Sequence, residues 1–242
     1  MELARHGYDV AVHYATSADG ARDTARQVRD LGGAASVHQA DLLTPADVEC
    51  LVPEAAQALG GPLTVLVNNA SIFEYDRLDT ATPEGWERHI NSNLRAPFFL
   101  TQAFAAQAPE VARDARGEPL ATGLVVNMLD QRVKKLTPEF ATYTIAKMGL
   151  WALTQTAAQA LAPRIRVNAI APGPTLIGAR QSDSHFARQR ASTVLARGSN
   201  SEDITAALAY LLKAPAVTGQ MIAVDGGQHL GWQTPDILGI GG

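Results

Sequence analysis

Residues 63–71 read LTVLVNNAS. The first five make a nearly continuous apolar run of β-prone residues, the pattern of a strand covered on both faces. Small polar residues follow at once, where a strand hands its chain to a ligand. Outward from this stretch, short β-rich runs alternate with longer helical patterns. Upstream, 8–14 (YDVAVHY) and 35–39 (ASVHQ) are predicted strands, the second leading to Asp41. Between them, 17–31 has helical periodicity and stops at Gly32 and Gly33. Residues 44–59 make a helix that Thr44 can cap, with Pro45 in its first position. Downstream come a long helical region over about 83–107, a polar surface loop at 113–121 and a strand at 123–128. A helix over roughly 141–161 and a strand at 165–170 follow. Helical patterns near 185–195 and 202–212, a strand at 220–224 and a Gly-rich tail end the chain. Strands separated by helices imply βαβ units and a parallel sheet. No internal repeat or interdomain linker interrupts the series. The expected fold is α/β, a doubly wound parallel sheet of Rossmann-like type, as a single domain over 1–242. Its ligands belong at the C-terminal ends of the strands.

Composition narrows the function classes. The chain has 242 residues, 46% of them hydrophobic and 18% charged, enough apolar content for a packed core. Twenty basic residues against 24 acidic ones give a net charge of −4, which argues against a nucleic-acid partner. One cysteine, Cys50, excludes a disulfide within the chain. The six histidines have no metal-ligand spacing, so no metal is expected. No apolar run reaches the roughly 18–20 residues that span a bilayer, so no membrane partner is expected. The polar N-terminus carries no signal-peptide pattern, and the expected compartment is the cytoplasm.

Tyr143 and Lys147 lie four apart in a helical segment and so share a face. A free tyrosine, with a pKa near ~10, is a poor acid at neutral pH, and a neighbouring ammonium stabilises its phenolate. The bland alternative is a solvent-facing helix pair. The surroundings favour chemistry. Asn68, Asn69 and Ala70 follow one predicted strand, Asp130 another, and Pro172 and Gly173 a third, while Asn93 lies in a helical region behind them. Each alone fits a cap or a turn; together they converge on one end of the sheet.

With these residues in place, the chain resembles the short-chain dehydrogenases/reductases over nearly its whole length. The resemblance rests on NNA at 68–70, Asn93 in NSNLRAPFF, YTIAK at 143–147, RVNAIAPG at 166–173 and VDGG at 224–227. It implies a nicotinamide-dependent oxidoreductase acting on a small-molecule substrate, assembled as a homotetramer or homodimer. Tyr143 would be the proton donor. Lys147 would bind the nicotinamide ribose and lower the tyrosine pKa. Asn93 would help hold a proton-relay water. Asn68 and Ala70 would line the cofactor, Asp41 would lie against the adenine, and Pro172, Gly173 and Thr175 would lie near the carboxamide.

Two departures from the family pattern carry information. The family usually has a serine thirteen residues before the tyrosine, where this chain has Asp130. A hydroxyl can donate to a carbonyl oxygen, whereas a carboxylate only accepts. Asp130 therefore favours a nitrogen heterocycle over a simple ketone, unless the acid is protonated. With NNAS at 68–71 and Phe73 two residues on, the pattern is similar to the pteridine and dihydromonapterin reductases. There the aromatic stacks the pterin against the nicotinamide, so the substrate residues would be Phe73, Asp130 and Tyr143. The plainer readings are a loop anchor for Phe73 and a helix cap for Asp130.

The second departure is at the start. The family opens with a strand and a TGxxxGxG turn whose amides cradle the pyrophosphate. Residues 1–7 read instead as the last turns of the helix that follows, and GIGG at 239–242 has no helix after it. The absent strand would sit between YDVAVHY and LTVLV, leaving two strand edges unpaired. The preferred explanation is a native chain roughly 20 residues longer; a natural fragment and a chain without cofactor binding are the alternatives. No acid ends the 8–14 strand, so a 2′-phosphate is allowed, and Ser17 can donate to it; NADP is preferred to NAD. A helix N-cap is the plainer role for Ser17. His89 and His185 are expected at the surface or in caps, Lys134 and Lys135 on a solvated loop edge, and residues 176–195 in a substrate lid. The rival functions are a carbonyl reductase of the same family and a non-catalytic scaffold.

Overall fold

The computed structural model describes residues 1–177 and 181–234. Helix α1 (Glu2–Arg5) ends at Gly7, whose φ of +81° is open to glycine at no steric cost. The Tyr8 amide turns back to the Leu3 carbonyl, so strand β1 covers Val10–Tyr14 rather than 8–14. Helix α2 (Ala18–Asp30) and strand β2 (Ala35–Gln39) follow, and β2 pairs parallel with β1. Helix α3 (Pro45–Leu59) has Pro45 in its first turn, as expected. Strand β3 (Val65–Asn68) starts two residues late. The Leu63 amide and carbonyl are taken by the side chain of Gln107 and do not join the ladder.

The helical region 83–107 is three pieces. Helix α4 (Pro83–Ile90) and helix α5 (Ala96–Gln107) are joined by a π-helical turn at Asn91–Arg95. Pro97 lies just beyond it, and in a regular α-helix its ring would clash with the carbonyl of residue 93; the wider turn removes that clash. Residues 113–121, expected as loop, hold part of a small exposed hairpin of β4 (Ala112–Arg113) and β5 (Pro119–Leu120). Strand β6 (Gly123–Met128), helix α6 (Ala141–Leu161) and strand β7 (Ile165–Pro172) come next. Helix α7 (Asp183–Ala191), helix α8 (Ser201–Lys213) and strand β8 (Met221–Val224) complete the described elements.

The result is a parallel α/β domain of Rossmann-like type with helices on both faces. Four strands run in the order β3–β6–β7–β8, all parallel. Phe104 of α5 and Ala157 of α6 pack on Val125 and Val167 on one face. Ala207 and Leu211 of α8 pack on Leu124, Val126 and Ile170 on the other. The β1–β2 pair forms a separate sheet. Between β1 and β3 lies a largely apolar groove of about 780 Å³, lined by Val10–Tyr14 on one side and by residues 63–70 on the other. Among the described residues no strand occupies it, as the sequence led us to expect. No helix among them is long and apolar enough to cross a membrane.

Candidate active site

Strands β3, β6 and β7 end at the same edge of the sheet, and α6 brings its N-terminal turns beside them. Tyr143 and Lys147, one turn apart on α6, are both buried. Lys147 donates from Nζ to the Met128 carbonyl at 2.8 Å and sits 5.6 Å from the Tyr143 ring centroid. Burial lowers its pKa to about 8, against a partial opposing effect of Asp130. Asp130 uses its two oxygens differently. Oδ1 accepts the Arg132 amide at 2.8 Å and caps the short turn Gln131–Val133. Oδ2 accepts the Tyr143 hydroxyl at 3.2 Å. The residue is therefore both a cap and a partner of the tyrosine. Burial is the main force that raises the Asp130 carboxyl above the usual carboxylate range; the Arg132 amide and guanidinium pull it back only in part.

The Tyr143 hydroxyl departs from expectation. Burial, and then the Asp130 carboxylate, push it well above its ordinary value, rather than Lys147 pulling it down. Tyr143 stays a neutral O–H donor at physiological pH. Phe73 follows β3 and is half exposed; its ring stacks on Phe140 at 4.3 Å and meets the edge of Tyr143 at 4.7 Å. Arg132 covers Phe140 at 4.5 Å, which completes a short column of guanidinium and two rings. Phe140 itself has a left-handed backbone, φ +57°, at the N-cap of α6.

Two predicted site residues turn inward. Asn93, fully buried, grips the main chain before Phe73: its Oδ1 accepts the Ile72 amide at 2.9 Å and its Nδ2 donates to the Ile72 carbonyl at 2.8 Å. Its side chain thus holds a loop. Gly149 of α6 lets the π-helical turn come this close, since a Cβ there would lie 2.6 Å from Leu94. Asn68 donates to Asn127 at 2.8 Å, and Asn127 to Thr154 at 2.9 Å, so its side chain braces the sheet against α6. Asn69, Ala70 and Ser71 are exposed at the mouth.

Pro172, Gly173 and Thr175 lie at the end of β7. Gly173 is required there, because a Cβ would sit 2.6 Å from the Asp225 backbone. The Thr175 hydroxyl pairs with Ser199 at 2.6 Å and with the Gly173 carbonyl at 3.1 Å. Ser17 is exposed at the N-cap of α2 and makes no side-chain cap bond. Asp41 is exposed and accepts the Leu43 amide at 3.0 Å. The groove opens at this same edge between Tyr14 and Ala15 on one side and Asn68–Ala70 on the other. Polar residues thus stand on both sides of the groove mouth. The described residues offer no Gly-rich turn for a dinucleotide's phosphates between them. The expected lid at 176–195 is described only in part, because 178–180, with Gly178, lie outside the described residues, as does GIGG at 239–242; helix α7 lies within it. Among the described residues no cluster could hold a metal.

His89 was expected at the surface or in a cap and is instead buried, its Nδ1 2.7 Å from the Thr142 hydroxyl and its Nε2 accepting the Glu74 amide at 3.1 Å. Asp76, Phe140 and Arg132 were not singled out either. No local pattern marks them, because each acts through a partner distant in sequence or through ring stacking.

A family model described as Enoyl-(Acyl carrier protein) reductase matches residues 1–229. The structure is similar to that of FolM Alternative dihydrofolate reductase 1 from Brucella suis, solved in complex with NADP, with a TM-score of 0.89. The two are 45% identical, and the match covers 97% of this chain and 90% of that one. Among curated relatives, 3beta-hydroxysteroid dehydrogenase 1 of Eggerthella lenta is 35% identical over 231 residues, 93% of this chain and 85% of its own length. The 3-oxoacyl-[acyl-carrier-protein] reductase FabG of Staphylococcus aureus is 32% identical over 235 residues, 95% of this chain and 92% of its own.

Proposed function

The chain belongs to the Enoyl-(Acyl carrier protein) reductase family within the short-chain dehydrogenases/reductases, and on that premise we propose that it is an NADPH-dependent reductase of a C=N bond in a pterin-like heterocycle. NADP is bound in the FolM structures; its reduced form, NADPH, would supply the hydride here. Lys147, Thr175 and the exposed main chain at 69–71 would hold its nicotinamide end, and Ser17 and Asp41 its adenosine end.

The observation that carries the substrate reading is the Asp130–Tyr143 contact at 3.2 Å, beside the half-exposed Phe73 ring. An ionised Asp130 accepts the N–H groups of an aminopyrimidine ring and repels an oxygen that gains negative charge. Phe73 offers a π-face to a flat ring. Tyr143, held neutral by burial, donates its proton to the substrate nitrogen as the carbon takes the hydride. Asp130, ionised while the ring is bound, then takes up a proton from solvent, which its raised pKa permits, and passes it to the tyrosine. The balance is a C=N bond plus hydride plus proton, giving CH–NH.

The same raised pKa favours a second reading. A protonated Asp130 can donate to a ketone oxygen, which would make the chain a carbonyl reductase, as the names of its FabG and steroid-dehydrogenase relatives describe. Steady-state assays of a dihydropterin series and a ketone series with NADPH separate the two. In the pterin reading, Asp130→Ser lowers pterin kcat/KM by about 100-fold, the ordinary weight of a proton-transfer group, and spares ketones. Tyr143→Phe lowers kcat by about 1000-fold with NADPH affinity kept. Unchanged pterin turnover in Asp130→Ser overturns the substrate reading. Absence of both NADPH binding and turnover in the unaltered chain would instead support the scaffold.

A further inference from the structure

The loop that carries Phe73 is held on both sides of that residue. Asn93 takes both polar groups of Ile72, and His89, one turn earlier on α4, accepts the Glu74 amide. The other side of the His89 ring faces α6. Its Nδ1 lies 2.7 Å from the Thr142 hydroxyl, which donates in turn to Asp76 Oδ2. Asp76 also accepts the Thr142 amide through Oδ1 at 3.3 Å, and its carbonyl accepts the Phe140 amide at 2.8 Å. The chain of bonds allows one assignment of protons. A main-chain N–H aimed at Nε2 leaves that nitrogen without a proton, so the ring's hydrogen is on Nδ1 and the imidazole is neutral.

We infer that His89 is a positioning residue for the substrate-stacking edge: its neutral ring keeps Phe73 over Tyr143, and its protonation releases the 72–76 loop. The inference rests on the reading that Phe73 stacks on the substrate. A proton on Nε2 would face the Glu74 N–H donor to donor, in a site that water does not reach. The groups around the ring divide. Asp76 and the Glu74 carboxylate favour a cationic ring, and so does the Gly85 carbonyl on its own helix. Arg88, which pairs with Glu74 at 2.8 Å, disfavours it. From α6 the ring meets the Tyr143 ring at 6.0 Å and the Thr142 hydroxyl. Burial outweighs these charges and keeps His89 below its ordinary range. The release therefore belongs to mildly acidic solution, and its effect falls on binding of the flat ring rather than on proton transfer.

Two near-isosteric variants test this in the full chain. Glutamine places an amide oxygen where Nε2 lies, so His89→Gln keeps the acceptor for Glu74 and cannot titrate. Asparagine reaches only as far as Nδ1, so His89→Asn keeps the bond to Thr142 and orphans the Glu74 amide. Dihydropterin kinetics are measured from about pH 5 to pH 8, the range in which a histidine changes charge, together with amide exchange of the segment 72–76. The native chain should show KM rising on acidification more steeply than His89→Gln, which keeps only the titration of Asp130. His89→Asn should show KM raised about tenfold at every pH, the weight of one orphaned buried amide, with kcat within about twofold and exchange of 72–76 faster. A KM that rises with acid as steeply in His89→Gln as in the native chain, or unchanged KM and exchange in His89→Asn, overturns the inference. If the native chain turns over no pterin, the substrate reading has failed by itself. The exchange of 72–76 in the two variants then decides the role of His89 alone.

Discussion

The four-stranded sheet β3–β6–β7–β8 and the two-stranded sheet β1–β2 come from the same kind of sequence and end up in different physical states. Strand β6 is buried from Gly123 to Asn127, with helices on both faces. Strand β1 is only half-buried along its whole length, because one edge faces the groove. The residues proposed for proton transfer and ring stacking all stand at the end of the continuous sheet or on α6 packed against it. The residues proposed for the adenosine end stand on the other block. Rigid placement therefore coincides with the chemistry, and the open edge with one end of the proposed cofactor.

The contrast can be broken or sharpened by experiment. The largest expected effect on stability is Phe104→Ala, which empties a fully buried site between α5 and the four-stranded sheet. It should cost about 3–5 kcal/mol in denaturant unfolding. Val12→Ala, in the half-buried β1, should cost less than about 1.5 kcal/mol. Equal costs would mean that the two blocks unfold as one well-packed unit. Hydrogen exchange comes next. Amides of β1 and β2 should exchange through local opening well before those of β6 and β7, which need global unfolding. Uniform protection would show that the groove edge is covered in solution.

The remaining expected effect is an increase in stability. Lys147 is buried with its pKa lowered from 10.5 to about 8. Between these values the unfolded chain binds the extra proton, so this residue's contribution to stability rises with pH through that window. Below pH 8 the buried ammonium is a net cost. Lys147→Met should raise Tm at pH 7, and its advantage should shrink as the pH climbs from 8 toward 10.5. A Tm gain independent of pH would assign the cost to packing instead of charge. Loss of turnover in the same variant would fit a residue kept for chemistry at the expense of stability.

The site was legible in the sequence wherever one element carries it. Tyr143 and Lys147 share a helix face, and their spacing alone places them together. Asp130 was marked by its place at the end of a strand, and its contact with Tyr143 follows from the packing of that strand on α6. His89 and Asp76 had no such mark. His89 sits in WERHI, an ordinary amphipathic stretch, and its partners lie 15 and 53 residues away. Asn68 and Asn93 were marked as polar residues beside a site, but their side chains turn inward to satisfy buried main-chain and amide groups.

By itself the sequence determined the alternation of strands and helices, the parallel sheet and the edge at which its polar residues gather. These follow from periodicity and chain stiffness, which are properties of neighbouring residues. Tertiary structure alone decided where each polar group finds its partner, that burial raises the Tyr143 pKa, and that a histidine expected at the surface or in a cap bonds the loop beneath Phe73. Burial and hydrogen-bond satisfaction decide those outcomes, and both depend on atoms brought together from distant parts of the chain.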